Sequence, residues 1–322
     1  MMKNRRSVMM VSAFMIACFH LWVPLGMRNP VEIFLQKTAF IGVDMFFFLS
    51  AYSISAREVT DYKAFLVSRL KSVYLKFILF AVVACIYAHW KLPYLFRVVT
   101  GLDLFKKGGG AFLWFLPAIM LFYLLLPLYQ KLDKKNRPLA IGVGVGAWFI
   151  IGLLVTFLTK YKAMFIFWNR IPIVLVGFYA AKLMHSERVL SKKGAKALAG
   201  VLLLAVGSVL LYFFGYQPPL MKPIPDMYYV IAIPSTLGLI LLTDLIPECG
   251  FARVVGTATL EMYAVQMIFG YDFSAFVLNR IAKSMGLTTG TKLLVNVISV
   301  TFVVAVAVLI NQIYERIRKR IR

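Results

Sequence analysis

Leu293-Leu294-Val295-Asn296-Val297-Ile298-Ser299-Val300-Thr301-Phe302-Val303-Val304-Ala305-Val306-Ala307-Val308-Leu309-Ile310-Asn311-Gln312-Ile313 runs for 21 residues without a charge and then meets Arg316, Arg318, Lys319, Arg320 and Arg322. As an α-helix rising ~1.5 Å per residue, it is about as long as the hydrocarbon core of a bilayer is thick. Similar runs fall at about 8–27, 34–55, 73–90, 111–129, 139–158, 164–183, 197–216, 227–246 and 257–277. The sequence therefore predicts an all-α, polytopic integral membrane protein of about ten transmembrane helices. Composition agrees: 61% of the 322 residues are apolar and only 15% charged, against about half and a quarter in soluble domains. Mean hydropathy is +0.82.

Thirty-six Lys and Arg against 13 Asp and Glu leave a net charge of +23. In a soluble chain that excess would suggest nucleic acid. Here the basic residues cluster between apolar runs, where the positive-inside rule and anionic lipids account for them, and no nucleic-acid partner is expected. Loops that are cytoplasmic if the N-terminus is inside hold 22 Lys and Arg, and the opposite loops hold 12. Both termini are thus expected on the cytoplasmic side of the cell membrane, with the segment before residue 8 opening an uncleaved first helix. Cys18, Cys85 and Cys249 lack metal-ligand spacing, and neither a metal nor a bound cofactor is expected.

Two connections differ in composition. Residues 91–110 end in Lys106-Lys107-Gly108-Gly109-Gly110, a flexible lead into the next segment that reads either as a hinge or as the lining of a substrate entrance. Residues 217–225 form a stiff proline-rich connection. Gly142, Gly144 and Gly146 predict close helix approach in the fifth segment.

Ionisable side chains inside apolar runs are the candidates for chemistry, because lipid makes them expensive. His20 lies ~18 Å along the first segment from its inner end, and Asp44 ~15 Å along the second from its outer end, at ~1.5 Å per residue. An imidazole beside a carboxylate can take a proton from a hydroxyl. The alternatives are a helix-to-helix hydrogen bond for His20 and pairing with Lys37 or an arginine for Asp44. Arg170, beside Trp168 and Asn169, reads as a holder of an anionic or polyhydroxyl ligand or as an interfacial anchor. Glu261 and Gln266 read as snorkelling or interhelical pairing residues.

The stretch Gly42-Val43-Asp44-Met45-Phe46-Phe47-Phe48-Leu49-Ser50-Ala51-Tyr52 resembles the signature of the bacterial membrane-bound acyltransferase family 3. Weaker likenesses follow in order: Arg69-Leu70, Leu113-Trp114-Phe115-Leu116 with Pro127, Asn169-Arg170-Ile171-Pro172 with Gly177 and Tyr179, and Leu260-Glu261-Met262-Tyr263. Met9, Ala51 and Gln266 stand where such proteins commonly have a basic residue, glycine and histidine. The resemblance implies a single acyltransferase-like domain over 1–322, with helices around a central cavity. It implies an acyl-CoA donor, usually acetyl-CoA, and a carbohydrate or glycolipid acceptor. It also makes His20 the catalytic base with Asp44 beside it, and Ser50, Arg69, Trp114 and Arg170 substrate-binding residues. A non-enzymatic carrier or exporter of a glycan intermediate and a proton-coupled solute transporter are the competing functions.

Overall fold

The computed structural model describes residues 3–23, 38–105, 113–157, 162–186, 192–215 and 228–321. Its regular structure is helical, with no strand among the described residues. Six helices are long and apolar enough to cross a membrane: Tyr62–Tyr87, Phe115–Lys135, Arg137–Val155, Met164–Leu183, Lys193–Phe213 and Thr289–Arg320. The remaining expected segments carry shorter helices, such as Ile41–Ser55 and Val230–Thr243. Helix length by itself thus supports a multi-pass membrane protein and six spans; it does not establish ten. Apolar side chains left on the outside fit a membrane-spanning protein. Leu198, Val201, Leu202, Val206 and Val209 form an exposed apolar stripe at helical spacing on Lys193–Gly215.

The chain packs as two compact units, one of Phe46–Leu239 and one of Met2–Met45 with Ile240–Arg322. In the second unit, α1 (Arg5–Leu21) and α2 (Ile41–Ser55, through Met45) are joined by α3 (Gly250–Thr257), α4 (Thr259–Val265), α5 (Tyr271–Met285) and α6 (Thr289–Ile321). A π-helical turn, Gln266–Gly270, links α4 to α5. The free amides that open α1 are met by acids from the far end of the chain. Asn4 N donates to Asp244 Oδ1 at 2.7 Å, and Arg6 N donates to Glu248 Oε1 at 2.8 Å. Two carboxylates at a helix N-terminus satisfy orphan donors and complement the helix dipole. Glycines set the spacing of α1: a Cβ on Gly42 would lie 2.5 Å from the Ser12 carbonyl oxygen, and one on Gly256 2.5 Å from that of Arg6.

The first unit holds the other five long helices. A buried polar knot ties two of them, Phe115–Lys135 and Ile171–Ser186. Asp133 accepts from the Tyr179 hydroxyl at 3.0 Å and pairs with Lys182, while the Tyr129 and Tyr179 hydroxyls lie 2.9 Å apart. Asp133→Ala leaves the tyrosine and the ammonium without their acceptor, and thermal unfolding in detergent is expected to show a loss of about 1.5–3 kcal/mol. Lys134→Ala, which breaks the exposed pair to Glu58, is expected to lose under about 1 kcal/mol. Equal losses would contradict the assignment.

Several local expectations change in this unit. Residues 91–105 are not a plain flexible lead: Leu92–Thr100 is a helix with proline in its first turn, and Gly101 ends it at φ +76°, where a side chain is disfavoured. Gly108–Gly110 and residues 217–225 lie outside the described residues. Of Gly142, Gly144 and Gly146 in the helix Arg137–Phe157, only Gly144 is packed, with Leu175 and the Tyr129 hydroxyl 3.0 Å from its would-be Cβ; Gly142 and Gly146 face open space. The close approach comes instead at Gly177, against the Phe48 backbone at 2.6 Å, and at Gly152, under the Trp168 indole at 2.7 Å.

Candidate active site

His20 lies in the last turn of α1, half-buried, with the Phe19 ring edge-on at 5.2 Å. Its Nδ1 is 3.0 Å from the Ile16 carbonyl oxygen. A carbonyl can only accept, so this bond requires the proton on Nδ1 and leaves the Nε2 lone pair as the basic nitrogen. The group that fixes the ring is therefore a backbone oxygen one turn earlier in the same helix. The chain just beyond His20 is held as well. Val23 N donates to Asn296 Oδ1 at 2.7 Å, and Asn296 Nδ2 donates to Val23 O at 3.4 Å.

Asp44 is fully buried, 0% exposed, on the neighbouring α2. The two helices touch at Gly42, which rests on Ser12, Met15 and Ile16. Asp44 is two residues further, about 200° round the helix axis from that contact. The carboxylate is thus on the helix beside His20 but off the face that packs against α1.

The substrate-binding candidates belong to the first unit. Ser50 Oγ is 3.5 Å from the Tyr123 hydroxyl, and the Arg69 guanidinium lies over the Tyr123 and Phe65 rings at 5.3 and 5.1 Å. Ser50 and Arg69 therefore meet through Tyr123. Arg69 precedes a π-helical turn, Leu70–Tyr74, a distortion that recurs at functional sites. Its Nε is buried with no hydrogen-bond partner among the described residues. Trp114 packs with Leu104 and Met164 and lies 6.1 Å from the Phe47 ring. It follows Leu113, a buried residue at φ +50° whose backbone strain is of order 1–3 kcal/mol.

Arg170 is not an interfacial anchor. It is 5% exposed, between Asn169 at 1% and the helix Ile171–Ser186, and Trp168 stacks on Trp148 at 5.6 Å while donating to the Trp148 carbonyl at 2.7 Å. Burial of the whole cluster makes it part of the interior, where a guanidinium must be matched by polar or anionic groups.

Glu261 accepts from Asn311 Nδ2 of α6 at 3.1 Å, the interhelical pairing expected of it. Gln266 does not follow. It is buried, and neither amide atom has a hydrogen-bond partner among the described residues. The Ile16 carbonyl and the Asp133 knot had no counterpart in the sequence reading. Only Asp133 carried a signal, as a lone acid within the basic run 131–137.

Comparison with known proteins gives one family. A family model described as an acyltransferase domain matches residues 10–312. No curated protein and no solved structure matches.

Proposed function

The chain belongs to acyltransferase family 3 and is an acyltransferase, and on that premise we propose that it transfers an acyl group from acyl-CoA to a hydroxyl of a cell-surface carbohydrate or related acceptor, with His20 as general base. Acetyl-CoA is the simplest donor. It acts as a substrate, and the reading needs no resident cofactor or metal.

The observation that carries this reading is the state of His20. Its Nδ1 proton is committed to the Ile16 carbonyl, and the opposite nitrogen is left basic on a half-buried ring. In the step proposed, Nε2 takes the acceptor hydroxyl proton as the hydroxyl oxygen attacks the thioester carbon. The carbonyl pair moves onto oxygen. When that pair returns, the C–S bond breaks, and the leaving thiolate takes the proton from the imidazolium. Asp44 is buried on the adjacent helix, and its role beside the base is the part of this reading that rests on the family resemblance.

Arg69 and Arg170 are the cations suited to a donor's phosphates, with Ser50 and Trp114 as further contacts to substrate. The excess of Lys and Arg in alternate loops supports a cytoplasmic-membrane protein with both termini inside, where acyl-CoA is made and anionic lipids lie. Family membership favours this chemistry over the carrier and transporter readings.

Purified protein in detergent is expected to move labelled acetyl from acetyl-CoA to a long-chain alkyl glucoside, and cells lacking the gene to lose acyl groups from surface glycan while still exporting it. Unchanged glycan acylation together with lost export would instead select the carrier.

A further inference from the structure

Six exposed cations of the second unit gather at one end of it, although they come from three distant stretches of sequence. They are Lys3 and Arg6 where α1 begins, Arg253 on α3, and Arg316, Lys319 and Arg320 where α6 ends. Two sets of contacts bring them there. Asn4 and Arg6 donate to Asp244 and Glu248, just ahead of α3, and a Cβ on Gly256 would meet the Arg6 carbonyl oxygen, so the start of α1 lies along α3. α6 runs antiparallel to α1: Asn296 bonds to Val23 beyond one end of α1, and Asn311 bonds to the Thr257 carbonyl, next to Gly256, toward the other. From Asn311, α6 continues for another ~7–14 Å to residues 316–320, away from Val23 and toward the level at which α1 begins.

The acids at this end are already engaged. Asp244 and Glu248 accept from the opening amides of α1, Glu261 is buried against Asn311, and Glu315 pairs with Arg318. None of the six cations has an ion-pair partner among the described residues. Large apolar side chains stand among them: Phe251 and Val254 on α3, 57% and 43% exposed, and Ile313 and Ile317 on α6, 48% and 53% exposed. The uncharged run of α6 ends at Ile313 after 21 residues, ~30 Å of helix, which matches the hydrocarbon core of a bilayer. The cations that follow therefore lie where hydrocarbon gives way to headgroups. That boundary accommodates both kinds of side chain, the apolar ones against acyl chains and the cations against phosphates.

We propose that this end of the second unit is a binding site for anionic phospholipid headgroups of the leaflet it faces. The chemistry recognised is a phosphodiester whose headgroup carries no compensating cation. Like charges gathered by the fold repel one another, and lipid phosphates relieve that repulsion while accepting hydrogen bonds from guanidinium and ammonium groups. General attraction of basic loops to a charged membrane requires no particular arrangement. A site does, because α1, α3 and α6 must pack together before these cations converge. The proposal goes beyond the acyl-transfer reading and does not depend on it.

The test places purified full-length protein in vesicles of equimolar phosphatidylcholine and phosphatidylglycerol, extracts it in mild detergent, and measures the retained lipid by mass spectrometry alongside thermal unfolding. The wild type is expected to retain phosphatidylglycerol about five-fold over its share of the vesicle, and high salt to reduce that enrichment at least about two-fold by screening the headgroup contacts. The quadruple variant Arg253→Gln/Arg316→Gln/Lys319→Gln/Arg320→Gln is expected to lose the enrichment with Tm unchanged, because exposed charge is removed and glutamine retains helix propensity. Lys131→Gln/Lys135→Gln/Lys192→Gln/Lys193→Gln, which neutralises as many exposed cations of the first unit, should keep it. Equal loss in the two variants overturns the site, since general attraction acts through any basic loop. Enrichment retained by the first variant overturns it also, and a raised KM for acetyl-CoA in that variant would then assign the cations to the donor's phosphates. Should that variant fail to fold, the wild type decides by salt: enrichment that is absent, or unaltered in high salt, overturns the proposal.

Discussion

His20→Ala is expected to lower acyl transfer by about 100- to 10,000-fold, the usual contribution of a positioned general base, while the protein still elutes as a folded species in detergent. The reason is local. The ring is pinned through Nδ1 to the Ile16 carbonyl, so Nε2 is the only nitrogen with a lone pair to offer. Removing the ring deletes the base and one intrahelical hydrogen bond; it leaves untouched the Asn296 contacts that hold the chain after α1. His20→Gln separates the two roles the residue could play, because its amide can still donate to a carbonyl but cannot take up a proton at neutral pH. Loss of transfer in both variants supports the base. Full activity in His20→Gln would show that the histidine is only a hydrogen-bonding residue.

Gly42→Ala is expected to produce a large loss of folding from a single methyl group. A Cβ there would lie 2.5 Å from the Ser12 carbonyl oxygen, 2.9 Å from Ile16 Cγ1 and 3.1 Å from Met15 Cβ. The nearest obstacle is backbone, so no side-chain rotation can relieve it, and α1 and α2 must separate. Overpacking of this kind costs about 1–3 kcal/mol. It also displaces Ile16, whose carbonyl positions the imidazole, so transfer should fall with Tm. Gly142→Ala, which meets nothing within 4 Å, should leave both unchanged or slightly improve Tm, since alanine favours helix by about 1 kcal/mol over glycine. Equal melting temperatures for the two variants would mean that α1 and α2 do not meet as described.

The comparison of those two glycines shows where one-dimensional reading stops. Gly142, Gly144 and Gly146 look alike as a small-residue series, yet only Gly144 is covered. Which side of a helix a glycine occupies depends on the neighbour's position, and that neighbour is distant in sequence. Residues 91–105 show the opposite case. Pro93 in the first turn and Gly101 at the end were legible signals of a short helix, hidden by the attention that Gly108–Gly110 attract. Arg170 was legible as a special residue because of its charge, but its burial between Asn169 and a packed tryptophan pair could not be inferred from flanking aromatics that also occur at membrane surfaces.

Membrane class, helical content, the approximate placement of the apolar segments and His20 as the leading candidate were determined by the sequence alone. The reason is that lipid imposes its demands residue by residue: apolar side chains over ~20 positions, backbone bonds closed within the helix, and an ionisable group tolerated only for a purpose. The tertiary structure alone decided which nitrogen of His20 is basic, that Asp44 lies off the face shared with α1, and that Gln266 is buried with no hydrogen-bond partner among the described residues. Those facts depend on which helix faces meet, and in a membrane, where every helix is apolar on most sides, close packing and not hydrophobic pattern selects the faces.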